Sequence, residues 1–109
     1  MANATAVSVK QDGGQQFRGV WNRVWTVTAT IDVDNLADGA GDVDTVAVPG
    51  VALGDQVIAL SLDVSVAGMI ITGYVSAADT VTLQIQNEST GAVNLASAEL
   101  KLVVGRPAF

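Results

Sequence analysis

The stretch Trp25-Thr-Val-Thr-Ala-Thr-Ile-Asp-Val33 decides the fold class of this chain. Its odd-numbered residues are apolar, and its even-numbered residues are threonine or aspartate. Successive side chains of a β-strand point to opposite faces, so this alternation predicts a strand with one buried face. An amphipathic helix would instead repeat its apolar residues every three or four positions.

Further short strands follow, separated by turn signals such as Pro49-Gly50. The pattern predicts them at residues 45–48, 56–62, 69–75, 80–86 and 98–104, with one or two more near the N-terminus. A series of short strands with turns between them is typical of a sandwich or a barrel. We therefore predict an all-β fold, a single jelly-roll-like β-sandwich.

The same alternation predicts which side chains are buried. Within residues 80–86, the apolar side chains of Val81, Leu83 and Ile85 are predicted to face inward. Thr82 and the other polar residues are predicted to face outward. Residues 69–75 are apolar almost throughout, which predicts burial of both faces of that strand. In the strand at residues 56–62, the side chains predicted to share one face are Ile58, Leu60 and Leu62.

The chain divides into two regions that differ in residue pattern and charge. Its 109 residues are enough for one hydrophobic core, which we assign to residues 25–109 as the β-sandwich domain. Residues 1–24 mix a short alternating stretch with a polar, glycine-containing break, and they are predicted to form an N-terminal arm or contact segment. The net charge is −6, but residues 1–24 carry more basic than acidic groups. Such an arm gains electrostatic complementarity when it lies on the acidic body of a neighbour.

The sequence also indicates that part of the surface is covered in the working protein. Only 15% of the residues are charged, against about 25% in ordinary soluble domains. A homo-oligomer or a larger assembly would account for this shortage. The candidate partner-contact residues are aromatic and arginine side chains, the types enriched at interface centres. They are Phe17, Arg18, Trp21 and Arg23. Trp25 is assigned to the core, and for Trp21 core packing stays an equal alternative.

Catalysis is not expected from this composition. The chain contains no histidine and no cysteine, so it lacks the commonest general base, a thiol nucleophile and imidazole or thiolate metal ligands. We predict no enzyme activity, no catalytic residues and no cofactor. The acidic body opposes nucleic-acid binding. No apolar run reaches the roughly 20 residues that a membrane-spanning helix needs.

An acidic loop is the one segment with a chemical signature. It carries five aspartates within thirteen residues: Asp32, Asp34, Asp38, Asp42 and Asp44. Clustered carboxylates on a glycine-bearing loop can bind calcium. The EF-hand spacing fails, however, because the third and twelfth positions counted from Asp34 are Leu36 and Thr45. We predict a solvated acidic turn and no metal, with calcium binding as the alternative.

More than half of the chain resembles a known class of protein. The resemblance rests on Ala-Val-Pro-Gly-Val-Ala-Leu-Gly-Asp at 47–55 and Ile-Thr-Gly-Tyr-Val-Ser-Ala-Ala-Asp-Thr-Val-Thr-Leu at 71–83. It continues through Thr-Gly-Ala-Val at 90–93, Ala-Ser-Ala at 96–98 and the terminal Arg106-Pro107. This order resembles small β-rich structural proteins of tailed phages, among them capsid decoration (cement) proteins. These motifs are strand and turn patterns, and residues 1–46 carry none of them.

The resemblance implies a structural role on the virion. Decoration proteins bind the outer capsid surface, often as trimers, and reinforce contacts between major capsid subunits, frequently through an N-terminal arm. The implied partners are the major capsid protein and further copies of this chain, with a homotrimer favoured, and the implied location is the outer capsid surface. Two alternatives stay open: a trimeric phage fibre or receptor-binding domain, and a small carbohydrate-binding module.

Overall fold

A computed structural model describes residues 2–12 and 20–109, and these residues form eight β-strands without any helix. The strands are β1 (Ala2–Asn3), β2 (Thr5–Asp12), β3 (Trp21–Ile31), β4 (Gly41–Ala47), β5 (Gln56–Leu62), β6 (Met69–Ala77), β7 (Thr80–Asn87) and β8 (Ala98–Pro107). They build two four-stranded sheets, with strand orders β1-β4-β7-β6 and β2-β3-β8-β5. All neighbours are antiparallel except the short β1–β4 pair. The all-β sandwich is thus confirmed, and the described residues contain no helix able to cross a membrane.

The strand order does not confirm the jelly-roll arrangement. Among the described strands, consecutive strands are neighbours in one sheet only at β2–β3 and β6–β7. Every other connection passes from one sheet to the other. The molecule is elongated, with extents of 44 × 25 × 23 Å. A strand of eleven residues such as β3 spans about 36 Å, so the strands run along the long axis.

The core lies between the two sheets and follows the predicted alternation. Odd-numbered residues of β3 from Trp25 to Ile31 are buried, and the residues between them are exposed or half-buried. In β7 and β8 the buried apolar side chains are Val81, Leu83, Ile85, Leu100, Leu102 and Val104. Burial of these side chains is the main favourable contribution to folding.

The N-terminal arm is not confirmed for the residues that the structure describes. β1 pairs with β4, and β2 runs along β3, with Thr5 opposite Thr30 and Asp12 opposite Val24. The side chains of Val7 and Val9 pack against the core. Residues 2–12 therefore belong to the two sheets rather than to a separate arm. The first core strand also begins earlier than predicted, at Trp21 instead of Trp25.

The prediction that residues 69–75 are buried on both faces is wrong. Met69 and Val75 lie in the core, but Ile70 is 53% exposed and Tyr74 is 46% exposed. β6 is an edge strand of its sheet, and only its inner face is covered by the second sheet. An apolar run predicts two buried faces only where another layer covers the outer face.

Two smaller face predictions also change. In β5 the register shifts between Val57 and Ala59, so Ile58 turns outward while Val57, Leu60 and Leu62 pack against the core. A bulge inserts one extra residue into the strand and reverses the side chains beyond it. Thr82 lies on the outer side of β7 as predicted, yet it is buried, and its hydroxyl donates a 2.7 Å hydrogen bond to Ser76 Oγ.

Candidate contact surface

The antiparallel registers define two opposite ends of the sandwich. At one end Ile31 of β3 pairs with Ala98 of β8, and Gly41 of β4 pairs with Gln86 of β7. At the other end lie the first residues of β3 and β5 and the last residues of β4 and β8. Arg106, near the end of β8, donates a hydrogen bond to the Gly50 carbonyl after β4, so the two sheets meet at that second end.

The first end is acidic. Six exposed carboxylates lie there, just beyond or just inside the ends of β3, β5, β7 and β8: Asp32, Asp34, Asp38, Asp63, Glu88 and Glu99. We call these residues the acidic end. Carboxylates in water keep their full hydration, and a concentration of like charge repels other acidic surfaces.

The second end carries four of the six large apolar side chains that are exposed among the described residues. Leu53 in the β4–β5 turn is 72% exposed, and Phe109 beyond β8 is 89% exposed. Val20, before β3, is 47% exposed, and its carbonyl accepts a hydrogen bond from the Ala108 backbone N–H. Ile58 of β5, near this end, is 44% exposed. We call Val20, Leu53, Ile58 and Phe109 the apolar end. Large apolar side chains grouped on one surface mark a site of interaction with another macromolecule.

Trp21, a predicted contact residue, lies beside the apolar end. Its indole ring and the Ile58 side chain cover Gly105 of β8 so closely that a methyl group there would overlap both. Trp21 is half-buried in this packing. The bulge in β5 is what directs Ile58 onto the glycine. Trp21 thus agrees in part with both predictions made for it, core packing and exposure to a partner, because its ring packs on the sheet and still reaches the surface.

The turn that carries Leu53 is held in place by an ion pair. Arg106 donates two hydrogen bonds of 2.9 Å to the Asp55 carboxylate and one of 3.0 Å to the Gly50 carbonyl. Asp55 Oδ2 also accepts a hydrogen bond from the Ala52 backbone N–H, while the Asp55 N–H donates to the Ala52 carbonyl. These bonds connect both sides of the turn, and Leu53 is exposed at its tip.

Burial and hydrogen bonding act in opposite directions on the Asp55 carboxyl. Burial would raise its pKa, but the hydrogen bonds from Arg106 and Ala52 lower the pKa below its usual value. The same pairing raises the pKa of Arg106. The Arg106 guanidinium also lies 5.2 Å from the ring centroid of Trp25, which adds a cation–π contact. The ion pair therefore connects the turn to the core.

Replacing this carboxylate should cost stability in a pH-dependent way. We expect Asp55→Asn to lower the free energy of unfolding by about 1–2 kcal/mol at pH 7, because charged hydrogen bonds are lost beside a partly solvated arginine. The folded-state pKa lies below the unfolded value of about 3.9, so the contribution is full at neutral pH. It disappears as the pH falls through the folded-state pKa. Urea unfolding at a series of pH values measures the difference.

The matched control is Asp38→Asn, which removes an exposed aspartate of the acidic end. It should change stability by less than about 0.5 kcal/mol at pH 7. A difference between wild type and Asp55→Asn that stayed constant down to pH 3 would contradict the role assigned to the ion pair.

The five aspartates of the acidic loop do not converge. Asp32, Asp34 and Asp38 are exposed, Asp42 is half-buried, and Asp44 is buried within β4. Across residues 2–12 and 20–109, no group of three or more carboxylate, imidazole or thiol side chains is placed to hold a metal ion. The geometry of the loop thus gives no support to the calcium alternative.

The predicted contact residues fall into two groups. Phe17 and Arg18 lie outside the described residues, whereas Trp21 and the exposed Arg23 lie at the end of the sandwich that carries Leu53. Sequence reasoning missed Leu53 and Phe109. An apolar residue at the tip of a Gly-bearing turn, as in Leu53-Gly54-Asp55, was a usable signal for the first of them.

Comparisons with protein-family models, with curated proteins and with solved structures each found no match.

Proposed function

We propose that this chain is a non-enzymatic structural protein of a tailed-phage virion, a capsid decoration protein that binds the outer capsid surface through its apolar end. The observation that carries the proposal is the separation of surface types along the 44 Å axis. Four of the six large apolar side chains exposed among the described residues lie at one end, and six exposed carboxylates lie at or near the other, with Asp79 as the exposed acid of the apolar end. The resemblance of residues 47–107 to decoration proteins supplies the class of partner.

This difference between the two ends suits a protein that binds to a large surface with one end only. Removing the exposed Leu53, Ile58 and Phe109 side chains from water stabilises the bound state by about 25 cal/mol for each Å² of apolar area covered. Burying the acidic end would remove water from six carboxylates, and this costs free energy unless basic groups of the capsid pair with them. The end that contacts the capsid is therefore the apolar one, and the acidic end faces solvent.

The partner in this proposal is the major capsid protein, whose subunit contacts the bound chain reinforces. The trimer that the resemblance implies would place three apolar ends on one capsid site. Multivalent attachment of that kind raises overall affinity without any new type of contact.

Leu53→Glu tests the apolar end directly. The change places a charge at the tip of the turn, where it would be desolvated against the capsid, so we expect capsid binding to weaken by tenfold or more. Folding should be unaffected because Leu53 is 72% exposed. The measurement is co-sedimentation with undecorated capsids assembled from the major capsid protein of the same genome, followed by electron microscopy of the decorated particles.

Ala92→Glu is the matched control, since it adds the same charge to an exposed loop residue between β7 and β8, at the other end. It should bind capsids like the wild type. Wild-type chain that left capsids bare would refute the proposal. Binding to host cells instead would indicate the fibre or receptor-binding alternative, and binding of glycans by a monomer would indicate the carbohydrate-binding module.

A further inference from the structure

β6 presents a free strand edge. It is the last strand of its sheet and, among the described residues, pairs with β7 alone. Its sequence, Met-Ile-Ile-Thr-Gly-Tyr-Val-Ser-Ala, contains no charged residue and no proline. The outward side of such an edge is a row of backbone N–H and C=O groups that can bond to another strand. In β6 this row begins after Met69, whose N–H donates to the Val66 carbonyl.

The other described edge strands carry protection that β6 lacks. β1 has two residues, and β2 contains Lys10 and Asp12 together with a register shift near its start. β5 has its bulge at Ile58, in the middle of the strand. In β6 the register shift comes only between Val75 and Ala77, so the edge is regular from Met69 to Val75. Short length, charge and bulges are the means by which proteins prevent edge pairing.

We propose that β6 is a self-pairing edge: two copies of the chain join their β6 strands antiparallel about a two-fold axis at Thr72. The strand order then becomes β1-β4-β7-β6 followed by β6-β7-β4-β1 of the second copy, one continuous eight-stranded sheet. This two-fold contact goes beyond the proposed function and uses a different surface from the apolar end.

The exposed side chains of β6 are complementary to themselves in this register. With Thr72 opposite Thr72, Ile70 of each copy lies opposite Tyr74 of the other. Threonine pairs and pairs of an aromatic with a β-branched residue are among the favourable cross-strand neighbours of antiparallel sheets. The contact covers the outward-facing Ile70 and Tyr74, which are 53% and 46% exposed in the single chain.

The charge pattern favours a second copy of this chain as the partner that pairs with the β6 edge. The chain carries eleven acidic and five basic residues, so most surfaces of one copy repel the same surface of another. β6 contains no charged residue, and neither does β5, the edge strand of the other sheet that lies beside it. Two acidic copies can therefore pair along β6 without placing like charges opposite each other within the strand.

The side of the sandwich next to β6 is apolar as well. A groove of about 240 Å³ lies between β5 and β6, lined by Leu60, Ser61, Leu62, Val66, Met69 and Ile71. A strand that pairs with β6 lies against this side and covers the groove. The second copy thus gains apolar burial in addition to backbone hydrogen bonds.

The first test is the mass of the full chain in solution and the effect of Thr72→Lys. From about 1 to 100 μM and without capsids, sedimentation equilibrium should show a species of twice the 11.1 kDa chain mass, whereas the trimer implied by the resemblance is expected only on the capsid. Thr72→Lys places two ammonium groups opposite each other and should weaken the dimer tenfold or more, although it lowers the net negative charge. Gln84→Lys, the same charge change on the exposed outer side of β7, should leave the dimer intact.

Cross-linking gives a second readout that does not depend on affinity alone. The chain has no cysteine, so the Thr72→Cys variant can form a disulfide only between copies. Opposed residues of antiparallel strands have Cα atoms about 4.5–5.5 Å apart, within disulfide range. Mild oxidation should give a covalent dimer for Thr72→Cys and not for Gln84→Cys. A wild-type mass of one chain throughout, or an oligomer that Thr72→Lys leaves unchanged, would overturn the proposal.

Discussion

Leu83→Ala should lower the free energy of unfolding by about 2–5 kcal/mol, the largest single-residue effect that we expect in this chain. Leu83 is fully buried at the centre of β7, and its side chain fills the space above Gly73 of the neighbouring strand β6. Neither sheet can collapse easily into the cavity, because β7 lies between two hydrogen-bonded neighbours. Urea unfolding followed by tryptophan fluorescence measures the loss.

The control for Leu83 is Gln84→Ala, one residue along the same strand but on its exposed outer side. It should cost less than about 0.5 kcal/mol. Thr82 is a poorer control, since that residue is buried and hydrogen-bonded to Ser76. Equal losses at positions 83 and 84 would mean that the register of β7 is wrong.

Asn87→Ala should lower the free energy of unfolding by about 2–4 kcal/mol, although it removes only a small polar side chain. Asn87 is fully buried at the end of β7. Its amide nitrogen donates to the carbonyls of Leu36, Ala37 and Gly91 at 2.9, 3.2 and 3.0 Å. Its Oδ1 accepts from both the backbone N–H and the hydroxyl of Ser89.

One amide thus satisfies polar groups of the β3–β4 and β7–β8 loops. Removing it breaks several hydrogen bonds of a buried side chain, each of which contributes about 0.5–1.5 kcal/mol net. The three carbonyls keep second donors, which are the Val93 and Ala40 backbone N–H groups and the Ser89 hydroxyl. The control is Asn94→Ala, which removes the same side chain from an exposed position in the β7–β8 loop and should cost little. A loss below 1 kcal/mol at Asn87 would contradict a structural role for this network, and unfolding in urea distinguishes the two cases.

The sequence predicted the sandwich and much of its core because these depend on local pattern. The pleat directs alternate side chains to opposite faces, so the inward positions of β3, β7 and β8 could be read from period-2 alternation alone. The bounds of β5, Gln56–Leu62, were also predicted correctly, but its bulge made the predicted face of Ile58 wrong. Asn87 gave no comparable signal, because its partners lie about 50 residues earlier in the chain and four residues later.

The candidate contact surface was predictable only in part. Trp21 and Arg23 were identified by residue type, and both lie at the end that carries Leu53. Val20 and Phe109 could not be identified, because residue type alone does not show whether an apolar side chain is buried in a core or exposed to water. Their exposure follows from lying beyond the last strand pairing, where the second sheet supplies no cover.

Local patterns in the sequence determine the strand content and the side of each regular strand that faces the core. The tertiary structure makes β6 an edge, joins residues 2–12 to both sheets, and gathers four exposed apolar side chains at one end and six exposed carboxylates at or near the other. The physical reason is that pleat geometry acts between neighbouring residues. Whether a strand's second face is covered, and which strand pairs with its edge, depends on strands that are distant in the chain. The bulge that turns Ile58 outward likewise appears only in the pairing of β5 with β8.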